Sequence, residues 1–344
     1  MRFSKSCVGK SVALAAGAAV LSLGVVSGPA RAADDKAIVM KISMPTIHDA
    51  INEYGTMLAA DVEKDSGGRI KGEVYPASQL GSIPRQIEGT QFGSIQVVAM
   101  PPEFFVGVDE RFEVLTAPGL VDGLDQGVKL SADPAVQKVM LSLGANKGLH
   151  GIALFAPGPS GVITKTGIRH LADFKGKKIR IFASDFQSVA FTRLGATPIA
   201  MTLGDVLPAL QQGAIDGAVA GMAVFSPMHY QDAAKYVTET NQPFIFAIVE
   251  VSKKWYDGLP KDLQEIIDRD GAKVGQEIRP IEIEAYNAQR KDWLANGGET
   301  ISLPPDEQAA MMETLGSVAE DVSKTKPAVH DAYETILAEA KKTR

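Results

Sequence analysis

Between residues 37 and 100 the chain switches its hydrophobic period repeatedly, and no other feature narrows the fold so far. Residues 37–44 set Met40, Ile42 and Met44 at alternate positions, the period of a strand with one buried face. Pro45-Thr46 then opens a stretch in which Ile51, Tyr54, Leu58, Ala59 and Val62 follow helical spacing, and Ser66-Gly67-Gly68 ends it. A strand over 70–75, a helix over 83–92 and a strand over 95–100 complete a β-α-β-α-β order. That order predicts an α/β fold, a parallel sheet with helices on its faces. In such sheets ligands sit off the carboxyl ends of the strands, where helix N-termini point amide groups outward. The loops 44–49 and 100–105 are therefore candidate cleft walls, with Thr46, His48 and Met100 as candidate contacts. His48 reads equally as a polar helix-start residue beside Asp49. Phe104 and Phe105 read as packing rather than as stacking platforms.

The alternation restarts after Pro157-Gly158-Pro159. A strand over 178–182, a helix around 187–194 and a helix over 204–212 predict a second α/β unit with its own core. Residues 244–251 are rich in β-branched side chains and read as a strand returning to the first unit. A helical stretch follows over 261–294, with Leu263, Ile267, Val274, Ile278 and Ile281 on one face and Pro280 placed to bend it. Two lobes joined by crossing strands and one bent helix make a hinge that closes around a small solute.

Ahead of this lies an export signal. Arg2, Lys5 and Lys10 precede an apolar run from Val12 to Val26, and Ala30-Arg31-Ala32 supplies the small residues a signal peptidase reads, so cleavage is expected near Ala32. The apolar run falls short of the ~20 residues that span a bilayer. The one cysteine, Cys7, leaves with the signal. What remains has 31 basic against 41 acidic residues, a charge balance that argues against a nucleic-acid partner.

Three segments of the second unit carry more specific information. Phe174-Lys175-Gly176-Lys177-Lys178-Ile179-Arg180 ends a short strand on an arginine, Leu194-Gly195-Ala196-Thr197-Pro198 forms a turn, and the helix through Ala209-Leu210-Gln211-Gln212-Gly213 closes on Asp216-Gly217. Gly67-Gly68-Arg69-Ile70 and Tyr75-Pro76-Ala77-Ser78-Gln79-Leu80-Gly81 precede them. Trp255-Tyr256-Asp257-Gly258-Leu259-Pro260 and Leu263-Gln264 follow. In this order the segments resemble the solute-binding proteins of tripartite ATP-independent periplasmic (TRAP) transporters, of the DctP type. The resemblance implies a periplasmic-binding-protein fold of two lobes built from discontinuous segments, 33–157 plus 246–285 and 158–245 plus 286–344, after a signal peptide over 1–32. It also implies capture of a small organic acid in the periplasm, delivery to TRAP membrane subunits, no cofactor, and a carboxylate clamp at Arg180. A guanidinium suits that role because its planar fork matches both carboxylate oxygens, as lysine cannot. A structural arginine paired with Asp173 or Asp185 is the alternative.

Departures from the family pattern bear on the ligand. Many relatives carry a second arginine upstream of the clamp, where this chain has Ser160. After Asp216-Gly217 relatives continue with a glutamate and an asparagine, whereas this chain has Ala218-Val219-Ala220-Gly221. Leu203 stands where an aromatic often lines the pocket. With Leu203, Ala220, Met222 and Phe225 as pocket wall, the expected ligand is a monocarboxylate with an apolar or aromatic body.

Enzymatic readings find no motif. The five histidines are scattered, with no zinc-protease spacing, no Gly-x-Ser-x-Gly elbow and no phosphate-binding glycine loop. Neither a catalytic residue nor a metal ligand is assigned. An exported hydrolase or lyase assembled by folding remains the distant alternative. The solute-binding protein of an ATP-driven importer is the nearer one.

Overall fold

The computed structural model describes residues 37–344, so the export signal lies outside the described residues. Ten strands make up the sheet: β1 (Ile38–Ser43), β2 (Ile70–Tyr75), β3 (Val97–Met100), β4 (Leu149–Thr164), β5 (Lys178–Ile181), β6 (Thr197–Ala200), β7 (Gly217–Gly221), β8 (Tyr236–Thr238), β9 (Phe244–Ser252) and β10 (Glu299–Ile301). Their order is β2-β1-β3-β9-β4-β7-β5-β6, with β8 bridging β4 and β10. β1 runs parallel to β2 and β3, and β5 runs parallel to β6 and β7, as the strand-helix alternation predicts. β9 lies antiparallel between β3 and β4, and all nine of its residues are buried.

The sixteen-residue β4 is the joint between the lobes. Its first part pairs with β9, and Ser160–Thr164 pairs with β7. The strand therefore passes through Pro157-Gly158-Pro159, where the sequence suggests a break. Proline donates nothing to a ladder. The register accordingly shifts between Phe155 and Gly158, and the strand continues beyond. The helix Lys261–Ala295 packs on β4 and on the helix Ala50–Asp65, reaches the short helix Met222–Phe225, and contains Pro280. The molecule is thus an α/β protein of two lobes joined by crossing strands and one long helix.

The apolar core does not divide between the two units as the sequence suggests. One cluster, including Met40, Tyr54, Leu58, Ile267 and Val274, lies between β1, the helix Ala50–Asp65 and the long helix. A larger one runs without interruption from Val98, Met100 and Leu149 through Leu154 to Phe174, Val219 and Phe225. Because β4 and β9 are buried along their lengths, their side chains carry the core across the joint.

Candidate functional site

The carboxyl ends of β1, β3, β5 and β7 converge on a cavity of about 40 Å³. Its lining comes from the loops after these strands (Thr46, Asp49, Phe104, Phe182, Met222), from the Pro157–Pro159 stretch of β4, and from Tyr286 on the long helix. Leu203, Ala220, Val224 and Ile245 make the rest of the wall strongly apolar.

Thr46 and Asp49 are the polar side chains on the first-lobe wall. The loop that holds them is fixed from below: Ala77 N–H donates to the Thr46 carbonyl and Ser78 N–H to the Met44 carbonyl, both at 3.0 Å. Ala77 and Ser78 adopt positive φ to make those contacts, which accounts for the small residues in Tyr75-Pro76-Ala77-Ser78. Asp49 caps the helix Ala50–Asp65, its Oδ1 accepting from Asn52 N–H at 2.8 Å. One carboxylate oxygen suffices for that cap. Its Oδ2, and Thr46 Oγ1, are buried and have no partner within the protein. Burial pushes the Asp49 carboxyl up to about 6, against the pull of the neighbouring Thr46 hydroxyl and the backbone amides of the helix start.

Across the cavity, Arg180 is fully buried on β5. Its Nε donates to the Met201 carbonyl and its Nη1 to the Val219 carbonyl, each at 2.9 Å. Those carbonyls precede Leu203 and Ala220, so the backbone that shapes the apolar wall also aims the guanidinium. Nη2 has no partner in the protein. Of five N–H donors two are used, leaving one on Nη1 and both on Nη2. The guanidinium carbon lies 4.6 Å from the ring centre of Phe182, which lines the cavity. Residues two apart on a strand share a face, which brings these two together. Neither Asp173 nor Asp185 neutralises Arg180. Asp173 accepts from the Arg169 and His170 amides, and Asp185 pairs with Lys326. Burial lowers the Arg180 pKa to about 10, opposed by nearby Tyr230 and Glu103. Burial in turn raises Glu103 to about 7 and Tyr230 to about 12. The Tyr230 hydroxyl is a further buried group with no partner in the protein.

The sequence-derived residues separate into two sets. Thr46, Leu203, Ala220 and Met222 line the cavity together, whereas Arg180 is not a lining residue itself and lies against Phe182, which is. Ser160, His48 and Met100 are not among the lining residues. The Ser160 hydroxyl donates to the Pro243 carbonyl, His48 is exposed with φ at 56°, and Met100 is fully buried in the larger core cluster. Phe225, offered as pocket wall, packs instead on Tyr230 and Trp293. Phe105 is core, as expected, while Phe104 reaches the cavity. Sequence reasoning passed over Asp49, Phe182, Tyr230 and Tyr286. Asp49 carried a visible signal as the acid opening a helical run. Tyr286 carried none, because its role depends on where the long helix crosses β4.

The whole arrangement has relatives. Residues 44–325 match the family of bacterial extracellular solute-binding proteins, family 7 (DctP). The C4-dicarboxylate-binding periplasmic protein DctP of Rhodobacter capsulatus is 29% identical over 313 residues, covering 90% of this chain and 92% of that protein. A TRAP periplasmic solute-binding protein of Xanthobacter autotrophicus, with bound β-D-galacturonate, superposes with a TM-score of 0.80 at 23% identity, covering 87% of this chain and 99% of the other. Another from Desulfovibrio salexigens, with bound orotic acid, gives 0.80 at 21% identity over 88% of this chain and 99% of the other. With the family match spanning most of the chain and a cleft built at the strand ends, this protein belongs to the bacterial extracellular solute-binding proteins of family 7, the TRAP-type receptors that bind a solute and do not transform it.

Proposed function

We propose that the protein captures a small organic acid in the periplasm, after removal of the signal near Ala32, and delivers it to TRAP membrane subunits. Arg180 receives the carboxylate and the apolar wall receives the rest. The observation that carries this reading is the half-used guanidinium: two backbone carbonyls fix Arg180 against Phe182, which lines the apolar cavity, while its Nη2 has no partner in the protein. The relatives' acids, a C4-dicarboxylate, galacturonate and orotic acid, support an organic acid as the solute class.

Within that class the ligand is a monocarboxylate with an apolar or aromatic body. Leu203, Ala220, Met222, Val224 and Ile245 offer no hydrogen bonds to hydroxyls, and Asp49 would face a second carboxylate with a like charge. Ser160 supplies no second cation, and its hydroxyl is already engaged with Pro243. The two lobes are read as 33–157 plus 246–285 and 158–245 plus 286–344, and closing them brings Thr46 toward Leu203 around the solute.

A thermal-shift screen of carboxylic acids tests it. An acid at about 100 times its dissociation constant adds ~2.7 kcal/mol to the native state, a shift of several degrees for a chain of this size. Aromatic and branched-chain acids are expected to give the largest shifts. Stabilisation by neutral sugars or amines, with none by any acid, overturns the reading.

A further inference from the structure

Asp49 is more than the cap of a helix. Its cap needs one oxygen, and that oxygen is occupied by Asn52 N–H. The other, Oδ2, is buried without a partner in the protein on a residue only 5% exposed, and the residue lines the cavity beside Thr46, whose hydroxyl is equally unpartnered. A carboxylate oxygen only accepts hydrogen bonds, and leaving one unmet in an apolar surround is costly. The one donor beside it is the Thr46 hydroxyl, close enough to lower the Asp49 pKa but outside full hydrogen-bond geometry, and Pro45, Ile51, Pro101 and Phe104, which flank the pair, donate nothing. The donor that completes the site has to arrive with the solute.

Resting on the organic-acid reading above, we infer that the solute carries a nitrogen-bound hydrogen donor, an amine or amidine, which Asp49 and Thr46 receive while Arg180 holds the carboxylate. The cavity then has two poles, a cation on β5 and an anion at the start of the helix Ala50–Asp65, separated by apolar wall. A zwitterion with an apolar body complements all three parts. A simple acid leaves the Asp49 oxygen unmet. A dicarboxylate brings like charge to it.

Paired acids that differ only in an amino group test this by calorimetry: leucine with 4-methylpentanoate, phenylalanine with 3-phenylpropanoate, and 4-(aminomethyl)benzoate with 4-methylbenzoate. These place the nitrogen at different distances from the carboxylate. In at least one pair the amino member is expected to bind roughly tenfold or more tightly, the range of a charge-assisted hydrogen bond. Asp49→Asn keeps a capping oxygen and so the helix start. In that variant the preference for the amino member should fall to within about threefold. Tighter binding of the amino-free member in every pair, or an amino preference that survives D49N, overturns the inference. Arg180→Ala separates the two readings. If amino-free acids bind and that binding depends on Arg180, the organic-acid reading stands and the nitrogen pole alone falls. If the acids that bind are indifferent to Arg180→Ala, the carboxylate clamp itself falls.

Discussion

The two walls of the cavity solve opposite problems with the same means. On the second-lobe side a cation is buried but pre-aimed: Met201 and Val219 carbonyls take two of its donors, Phe182 covers its face, and its Nη2 has no partner in the protein. On the first-lobe wall an anion is buried and half used, with Asn52 N–H on one oxygen and no protein partner on the other. Each charged group is held by backbone, which does not move away when a solute arrives. Each keeps an unmet remainder. The walls differ in how the charge tolerates burial. Arg180 stays protonated even with its pKa lowered to about 10, whereas Asp49, raised to about 6, lies within reach of neutral pH. The arginine is a permanent anchor and the aspartate a conditional one.

The largest expected effect removes the permanent anchor. Arg180→Ala should weaken binding of any recognised acid by at least about 100-fold, roughly 3 kcal/mol. Arg180→Lys should recover little, because a point charge cannot make the two-pronged contact or keep both backbone carbonyls paired. Calorimetry with an identified ligand decides it. A loss under threefold in the alanine variant would place the anchor on the other wall and invert the comparison.

Selectivity between acids comes next. Aromatic and branched-chain monocarboxylates should bind about tenfold or more tightly than succinate, malate or hexuronates under identical conditions, since each buried unpaired polar group costs roughly 1–3 kcal/mol. Tighter binding of any of the latter three would mean that the apolar wall does not set the preference.

Phe182 tests how much of the anchor depends on its cover. Its ring shields the guanidinium from water, and a stacked cation is worth about 0.5–2 kcal/mol. Phe182→Leu should cost several-fold in affinity and Phe182→Ala somewhat more. If the leucine variant matches wild type, packing alone accounts for the ring.

The smallest effect depends on pH. Burial raises the Glu103 carboxyl to about 7, so it is neutral in mildly acidic solution and ionises as pH rises through that value. Ionised, it competes with the ligand for Arg180. Acid affinity should therefore fall a few-fold between pH 6 and 8, and Glu103→Gln should flatten that decline while matching wild type at pH 6. A glutamine variant with the wild-type profile would assign the titration to Asp49 on the facing wall.

Much of this was legible from the chain. Period-2 and period-3.6 runs located β1, β2, β5 and β9 and the helices Ile83–Phe92 and Lys261–Ala295 to within a residue or two, and the end of the helix Ala50–Asp65, whose start lies four residues beyond the expected Pro45-Thr46 opening, because these elements each bury one face or both and the pattern records it. Thr46 was found because strand ends and the turns after them are where an α/β sheet opens, and Leu203, Ala220 and Met222 were found by comparison with the family pattern. Arg180 was found through the ordered motifs around it. Asp216 and Gly217 have local reasons to be where they are. Asp216 exchanges hydrogen bonds with Lys178, one from its side chain and one from its amide, and a Cβ on Gly217 would come within 2.6 Å of the Ile163 carbonyl.

What stayed hidden depends on contacts between distant segments. The passage of β4 through Pro157-Gly158-Pro159 was invisible because local propensity reads those residues as a break, and only pairing with β9 on one side and β7 on the other carries the strand across. The continuous core follows from the same crossing. Ser160 looked like a pocket residue, but its hydroxyl is taken by Pro243, eighty-three positions away. The sequence by itself determined the strand and helix pattern, which is written in local periodicity, and the order of its motifs carried the family resemblance that pointed to the clamp. Tertiary structure alone decided which polar atoms lose water without gaining a partner. For Asp49, Thr46, Arg180 and Tyr230 that depends on what the rest of the chain brings against them, and no local pattern encodes it.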